Sequence, residues 1–429
     1  MEQIEKIFHK IAVIFIYFIL IYLPFSELLL HFLESKTSLS VGMIFWIIHF
    51  YEPILLLVII FYLIKLLIKK EFRSFFRGNL FISVFIALAI ILSLVRSSEL
   101  ARSLEGLRFL LLPFGVYFLA RLSDYKNPKT LIKIYLIIAI FLAAIGVFEF
   151  FFLTPGYWAG YLGISGFGYG ENSLVATSQA TSLLAGPNQL ASYLILAFFY
   201  LMHRFFISQK LIILQYENLF LVLVALCIGL TYSRSALLGL AVALIFMFIY
   251  FGRQLREKIA QSVLFLAVAI SSAVMFAMYN GEFLHDILLH GSSFSQHLNA
   301  LKDAISKITS SGILSLLFGH GVGSAGPAAL KLGGTISENY YLQIVFETGV
   351  LGLIVFSAFI ASMVKKLFVA SKTLFFAFVA LLINALFLHI FSDNPAMSVT
   401  IFVLIAVVLN VEDAKKETQI STSSGLSDV

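Results

Sequence analysis

Arg234 is the only cation between two long apolar runs. Residues 214–231 and 236–251 carry no lysine or arginine, and Tyr232-Ser233-Arg234-Ser235 joins them. A charge at a bilayer edge costs free energy unless a partner or a function holds it there. A guanidinium forks onto phosphate oxygens, so a phosphate or diphosphate headgroup is the natural ligand at that depth. The alternative is an anchor that snorkels to ordinary lipid headgroups. Glu99, Arg102, Glu105 and Arg108 recur at every third residue. They form either a self-neutralising ladder at a helix entry or a support for Arg108 facing a cavity, where it joins Arg234 on a diphosphate. Ser337-Glu338-Asn339-Tyr340-Tyr341-Leu342-Gln343 opens another apolar run. Ser337 can cap that helix, and a carboxylate in the first turn suits its dipole. In the chemical reading Glu338 is a general base or a ligand for a substrate hydroxyl, kept ionised by the helix N-terminus.

Gly319-His320-Gly321-Val322-Gly323-Ser324-Ala325-Gly326 contains a GxGxxG match. No strand precedes it and no βαβ unit surrounds it, which excludes a dinucleotide fingerprint. Glycine here lets the backbone fold tightly near a ligand, and His320 is either exposed loop or a contact. No His/Cys/Asp cluster has metal-ligand spacing, and neither metal nor cofactor is expected. Cys227 lies inside an apolar run and reads as packing.

These residues must be positioned by membrane helices. The chain has 429 residues, 60% hydrophobic and 12% charged, with a mean hydropathy of +0.99. Apolar stretches of spanning length recur. The fold class expected is all-α, a polytopic integral membrane protein of about twelve spans: 8–26, 43–67, 79–95, 105–122, 131–152, 188–206, 214–231, 235–251, 260–279, 339–363, 373–391 and 395–411. Residues 11–24 resemble a signal-peptide core, but no small-residue cleavage site follows, so they read as the first span. With the N-terminus in the cytoplasm, 21 of the 29 lysines and arginines fall on inward segments. Only Lys36, Arg96, Arg102, Arg108, Arg234, Lys302, Lys307 and Lys331 do not. That bias follows the positive-inside rule, puts both termini inside, and gives no reason to expect nucleic acid as a partner.

Two outward loops are long, about 153–187 and 280–338, so the working face is the outer one. Tyr157, Trp158, Tyr161, Phe167 and Tyr169 in the first either stack on sugars or form an interfacial belt. In the second, Phe294, Leu298, Leu301, Ile305 and Ile308 recur at helical spacing, with His297, Asn299, Asp303 and Lys307 on other faces. Such a helix lies along the outer leaflet. Residues 1–411 read as one transmembrane domain and 412–429 as a disordered cytoplasmic tail. Glu52, Glu149 and Glu347 fall inside spans, where a carboxylate needs a partner that the sequence does not name.

Four segments together resemble the O-antigen ligase and polymerase superfamily. They are Thr231 to Gly239, Gly186-Pro187-Asn188-Gln189-Leu190-Ala191, the Gly319–Gly326 loop, and Glu338 to Gln343 followed by Glu347-Thr348-Gly349-Val350-Leu351-Gly352. The resemblance covers about 185–355, and the N-terminal half shares only hydropathy. It implies a multi-spanning glycosyltransferase of the inner membrane, without metal or nucleotide, working on the periplasmic or extracellular side in lipopolysaccharide or exopolysaccharide synthesis. It also implies a glycan donor on undecaprenyl diphosphate held by Arg234. Asn188, Asn339, Tyr340 and His320 fall in the resembling motifs and are the candidate substrate contacts, joined by His297, which stands near the place where the family often has a second arginine. Further implied partners are membrane lipids and a chain-length regulator protein. Ligases of the family usually carry His before the last motif's Asn. Glu338 stands there instead and points to a Wzy-type polymerase. A ligase to lipid A core, and a lipid-linked oligosaccharide transporter or flippase, are the rival readings.

Overall fold

The computed structural model describes residues 2–96, 100–153, 179–184, 186–207, 216–255, 291–332 and 339–424. Glu99, Ser337, Glu338, the loop aromatics Tyr157 to Tyr169 and the expected ninth span, 260–279, lie outside these residues. His297 sits on a described helix, but its side chain lies outside the description.

The described residues form α-helices joined by turns. In chain order they are α1 (Glu2–Lys36), α2 (Val41–His49), α3 (Tyr51–Ile68), α4 (Phe72–Gly78), α5 (Leu80–Arg96), α6 (Leu100–Leu122), α7 (Pro128–Phe152), α8 (Pro187–Ile207), α9 (Tyr216–Leu230) and α10 (Arg234–Leu255). Then follow α11 (Gly291–Ser310), α12 (Ile313–Phe318), α13 (Gly326–Leu332), α14 (Tyr340–Ala370), α15 (Lys372–Asn384), α16 (Ile390–Asp393) and α17 (Pro395–Ser424). Among the described residues seven helices are long and apolar enough to cross a membrane, or eight if the bent pair α4–α5 is one span. The protein is therefore an all-α polytopic membrane protein. Apolar side chains stay exposed on outward faces, such as Ile14, Leu94, Val95 and Ile249, as lipid contact requires.

Helix ends follow local chemistry. Asn127 caps α7 by accepting from Thr130 N at 3.3 Å, with Pro128 at the first helical position. Ser371 and Asn339 cap α15 and α14 in the same way. Asn339, not Ser337, is thus the cap of α14. The expected span 43–67 is two helices with a turn at Phe50. Pro53 sits in the first turn of α3, where its missing N–H is not needed.

The core centres on α17, whose residues Val399 to Val407 are buried. Phe402 packs on Phe114 of α6 at 5.2 Å between ring centroids and on Phe359 of α14 at 6.3 Å. One expectation is corrected here. The segment from 412 is helical through Ser424: no proline or glycine breaks it before Gly425, and Arg121 pairs with Asp413 at 2.7 Å. Helix α11 forms as read and docks on α14. Its buried Ile308 clusters with Phe346 and Ala325.

Candidate functional site

The hairpin that carries Arg234 is built by short hydrogen bonds. Thr231 N donates to Cys227 O at 3.1 Å, and Thr231 Oγ1 to Ile228 O at 2.6 Å. Tyr232 adopts φ +52°, a left-handed conformation that reverses the chain within one residue. Ser233 N donates to Thr231 Oγ1 at 3.3 Å, and Ser233 O accepts from Leu237 N, so Arg234 is the first residue of α10. Its side chain is exposed and has no partner among the described residues. The hydroxyl of Ser233 is buried beside it without a hydrogen-bond partner among the described residues. The first amides of a helix have no carbonyl of their own and favour anions. Arginine, helix N-terminus and hydroxyl thus converge on one small region.

Neighbouring elements bring the other motifs to this end of the bundle. A Cβ on Gly239 would come within 2.4 Å of Ala380 O, so α10 and α15 touch backbone to backbone there. Arg234 lies five residues before Gly239, about 7.5 Å along the axis. Asn384 lies four residues after Ala380 on the antiparallel partner, so the two ends are level. Asn384 is fully buried and donates to Ser192 Oγ on α8 at 2.8 Å, one turn beyond Asn188. Tyr340 N donates to Ala385 O at 3.0 Å, and Asn339 Nδ2 to Leu386 O at 2.7 Å. Arg234, Asn188 and the start of α14 therefore surround the end of α15. Asn188 is half-buried in the first turn of α8.

The glycine loop closes the other flank. Gly349 has φ +72° inside α14, where a Cβ would lie 2.1 Å from Leu317 O. This break releases the carbonyls of Phe346 and Glu347 from the helix ladder. His320 N and Gly321 N take them at 2.8 and 3.0 Å. The buried Glu347 carboxylate accepts from Gly323 N at 3.1 Å and Gln343 Nε2 at 3.3 Å, and Ser392 Oγ donates to Gln343 Oε1. Ser103 Oγ of α6 donates to Val322 O at 3.1 Å, and Arg96 reaches Gly319 O and Ser315 Oγ. The loop is a rigid shelf that presents His320. Burial, reinforced by the Arg96 guanidinium, holds the His320 imidazole below its ordinary value, so it stays neutral at pH 7 and can accept or donate a hydrogen bond.

The carboxylates without a named partner all have one. Glu149 is fully buried and accepts from Thr181 N, Thr181 Oγ1 and Ser182 N at 3.0, 3.0 and 2.7 Å, which pins the chain ahead of α8. Glu52 pairs with Arg108 Nε at 2.7 Å. This corrects the expectation for Arg108. Its Nη1 meets Glu105 at 2.8 Å and its Nη2 meets His49, so two carboxylates and an imidazole take up the guanidinium inside the bundle. Glu105 pairs with it as the ladder reading expects, while Glu52 and His49 come from α3 and α2. Tyr340 is corrected too: its ring is in the core against Phe356 and Phe391. Asn339 spends its side chain on the cap and on Leu386.

One residue escaped the sequence reading. Residues 385–394 break the expected span 373–391 into turns and the short α16, and Asp393 is half-buried there next to Ser392 and Asn394. Asn394 Nδ2 donates to Gln189 O on α8 at 2.9 Å, which ties the segment to the site. Burial pushes the Asp393 carboxyl up to about 7. The Asn394-Pro395 step is the signal for that break. Among the described residues no group of three or more His, Cys, Asp or Glu side chains is close enough to hold a metal ion.

The segment that holds the arginine hairpin, the glycine loop and the broken helix is also the segment that matches a known family. Residues 219–357 match the O-antigen ligase family. This agrees with the resemblance to the O-antigen ligase and polymerase superfamily carried by the motifs. The match runs from α9 to the middle of α14, so it contains Arg234, His320, Asn339 and Glu347 and leaves the first 218 residues outside it. No curated protein matches the chain.

Proposed function

We propose that the protein is a polysaccharide polymerase of the cytoplasmic membrane. It transfers a glycan from undecaprenyl diphosphate to the sugar end of a second lipid-linked unit at the outer face. The observation that carries this reading is Arg234: an exposed guanidinium, unpartnered among the described residues, at the N-terminus of α10. An anionic group fits there, and the family match supports a glycan-transferring function for the segment.

The acceptor hydroxyl attacks the anomeric carbon of the donor. The bond from that carbon to the acceptor oxygen forms as its bond to the diphosphate oxygen breaks. The electron pair leaves with the lipid diphosphate, and Arg234 with the α10 amides stabilises the developing charge. Glu338, next to the Asn339 cap, takes the proton of the hydroxyl, and the ionisation of Asp393 at the same end sets the pH response. His320 on its shelf hydrogen-bonds the sugar. Positioning and charge stabilisation carry most of the barrier reduction, since a lipid diphosphate is already a good leaving group.

The matched family is named for ligation, which favours one second reading: a ligase to lipid A core or another acceptor. The experiment is incubation of the purified protein with a synthetic lipid-linked oligosaccharide. Longer lipid-linked glycans support polymerase, product only on an added acceptor supports ligase, and translocation without new bonds would falsify both.

A further inference from the structure

The far end of the bundle holds a cavity that this reaction does not use. Its volume is about 340 Å3, and Arg77, Asn79, Tyr117, Phe359, Met363 and Lys366 line it. Two residues beyond Lys366, Phe368 packs on Tyr250 of α10 at 5.7 Å between ring centroids, and Tyr250 lies 16 residues along α10 from Arg234, about 24 Å at the helical rise. That is most of the hydrocarbon thickness of about 30 Å. The cavity therefore opens at the membrane face opposite Arg234, the cytoplasmic one by the charge bias.

Its wall is built, not incidental. Helix α4 bends 95° from α5, so it lies across the bundle with its rings packed inward: Phe75 stands 5.9 Å from Phe118 of α6. Asn79 is buried, donates to Phe75 O at 3.0 Å and accepts from Tyr117 OH at 3.0 Å, which locks the corner. Lys366 Nζ donates to Gly78 O at 2.9 Å and keeps its other protons for a ligand. Arg77 is exposed and has no partner among the described residues. Arg121, the next cation on α6, is already matched by Asp413 and Asn410. Glu71 lies at the opposite end of α4 from Arg77. Two donor-bearing cations thus stand at the mouth of a cavity whose accessible apolar side is Leu80 and Phe81, with Phe359 and Met363 buried behind.

We propose that this cavity binds an anionic phospholipid of the cytoplasmic leaflet, with the phosphodiester between Arg77 and Lys366 and the acyl chains along the exposed Leu80 and Phe81. A basic rim over an apolar wall matches that amphiphile and no fully polar ligand.

The test uses the purified full chain in neutral detergent, with retained lipid read by native mass spectrometry and thermal stability read in parallel. Probes are phosphatidylglycerol, phosphatidylcholine and inorganic phosphate. Wild type should retain phosphatidylglycerol over phosphatidylcholine and melt higher with it, while inorganic phosphate leaves the melting temperature unchanged. Arg77→Ala and Lys366→Ala should each weaken phosphatidylglycerol retention about fivefold, and Arg77→Lys should keep most of it. Ser362→Trp, which fills the cavity without touching a cation, should also lose retention. Equal retention of the two lipids, equal retention by Arg77→Ala and wild type, or the same melting shift with inorganic phosphate would overturn the site. The readout is lipid and not glycan transfer, so it stands or falls apart from the polymerase reading.

Discussion

Arg234 and Arg108 were both candidate phosphate ligands, and their environments separate them. Arg108 is enclosed by Glu52, Glu105 and His49, whereas Arg234 faces outward from a helix start. Spacing along one helix shows Glu105 beside Arg108, but Glu52 is 56 residues away and reaches it only through the packing of α3 on α6. Arg234→Ala should lower glycan elongation by about 10²–10³, the usual cost of one transition-state charge stabiliser. Arg234→Lys should fall between, because a point charge lacks the bidentate fork. Chain-length distributions on gels check both. Glu338→Gln should keep the thermal stability of the wild type and lose most turnover of lipid-linked substrate. Normal turnover would return Glu338 to a helix-end role. On the proposed reading the Asp393 carboxyl, which burial pushes up to about 7, takes part in its ionised form. Activity should therefore climb between about pH 6 and about pH 8, and Asp393→Asn should lose that climb. Identical profiles would remove Asp393 from the site.

Among the elements, the apolar runs were legible because period and length declare a buried helix. Each expected span except 260–279 overlaps a described helix. What the runs hid is where a helix breaks. Gly349 sits in a continuous apolar stretch, and only the glycine loop beside it shows why its φ is positive: the freed carbonyls of 346 and 347 have donors waiting at 320 and 321. The family resemblance makes Tyr340 a candidate substrate contact, yet the cap turns the chain so that its ring enters the core. Gly349→Ala should destabilise the protein by on the order of 1–3 kcal/mol through backbone strain, with a further steric cost against Leu317. It should also reduce activity by displacing His320. A melting temperature and activity equal to wild type would mean that the shelf is not held by this break.

For the whole molecule, charge asymmetry and loop length assigned an outer working end and an inner end. The contacts gather Arg234, Asn188, Asn339, His320 and Asp393 at one end of the bundle and Arg77 and Lys366 at the other. The chemistry at each end follows from what the bundle leaves unsatisfied there. Carboxylates inside the bundle, Glu149 and Glu347, serve as struts for loops, which explains charges in apolar segments without giving them a reaction. The central claim is that Arg234 holds the lipid diphosphate during glycan transfer. Its most direct test is elongation of a synthetic lipid-linked oligosaccharide by wild type and Arg234→Ala, purified side by side and matched for thermal stability. The account expects a ladder of longer products from the wild type and about 10²–10³-fold less elongation from the variant. The same ladder from both would contradict it.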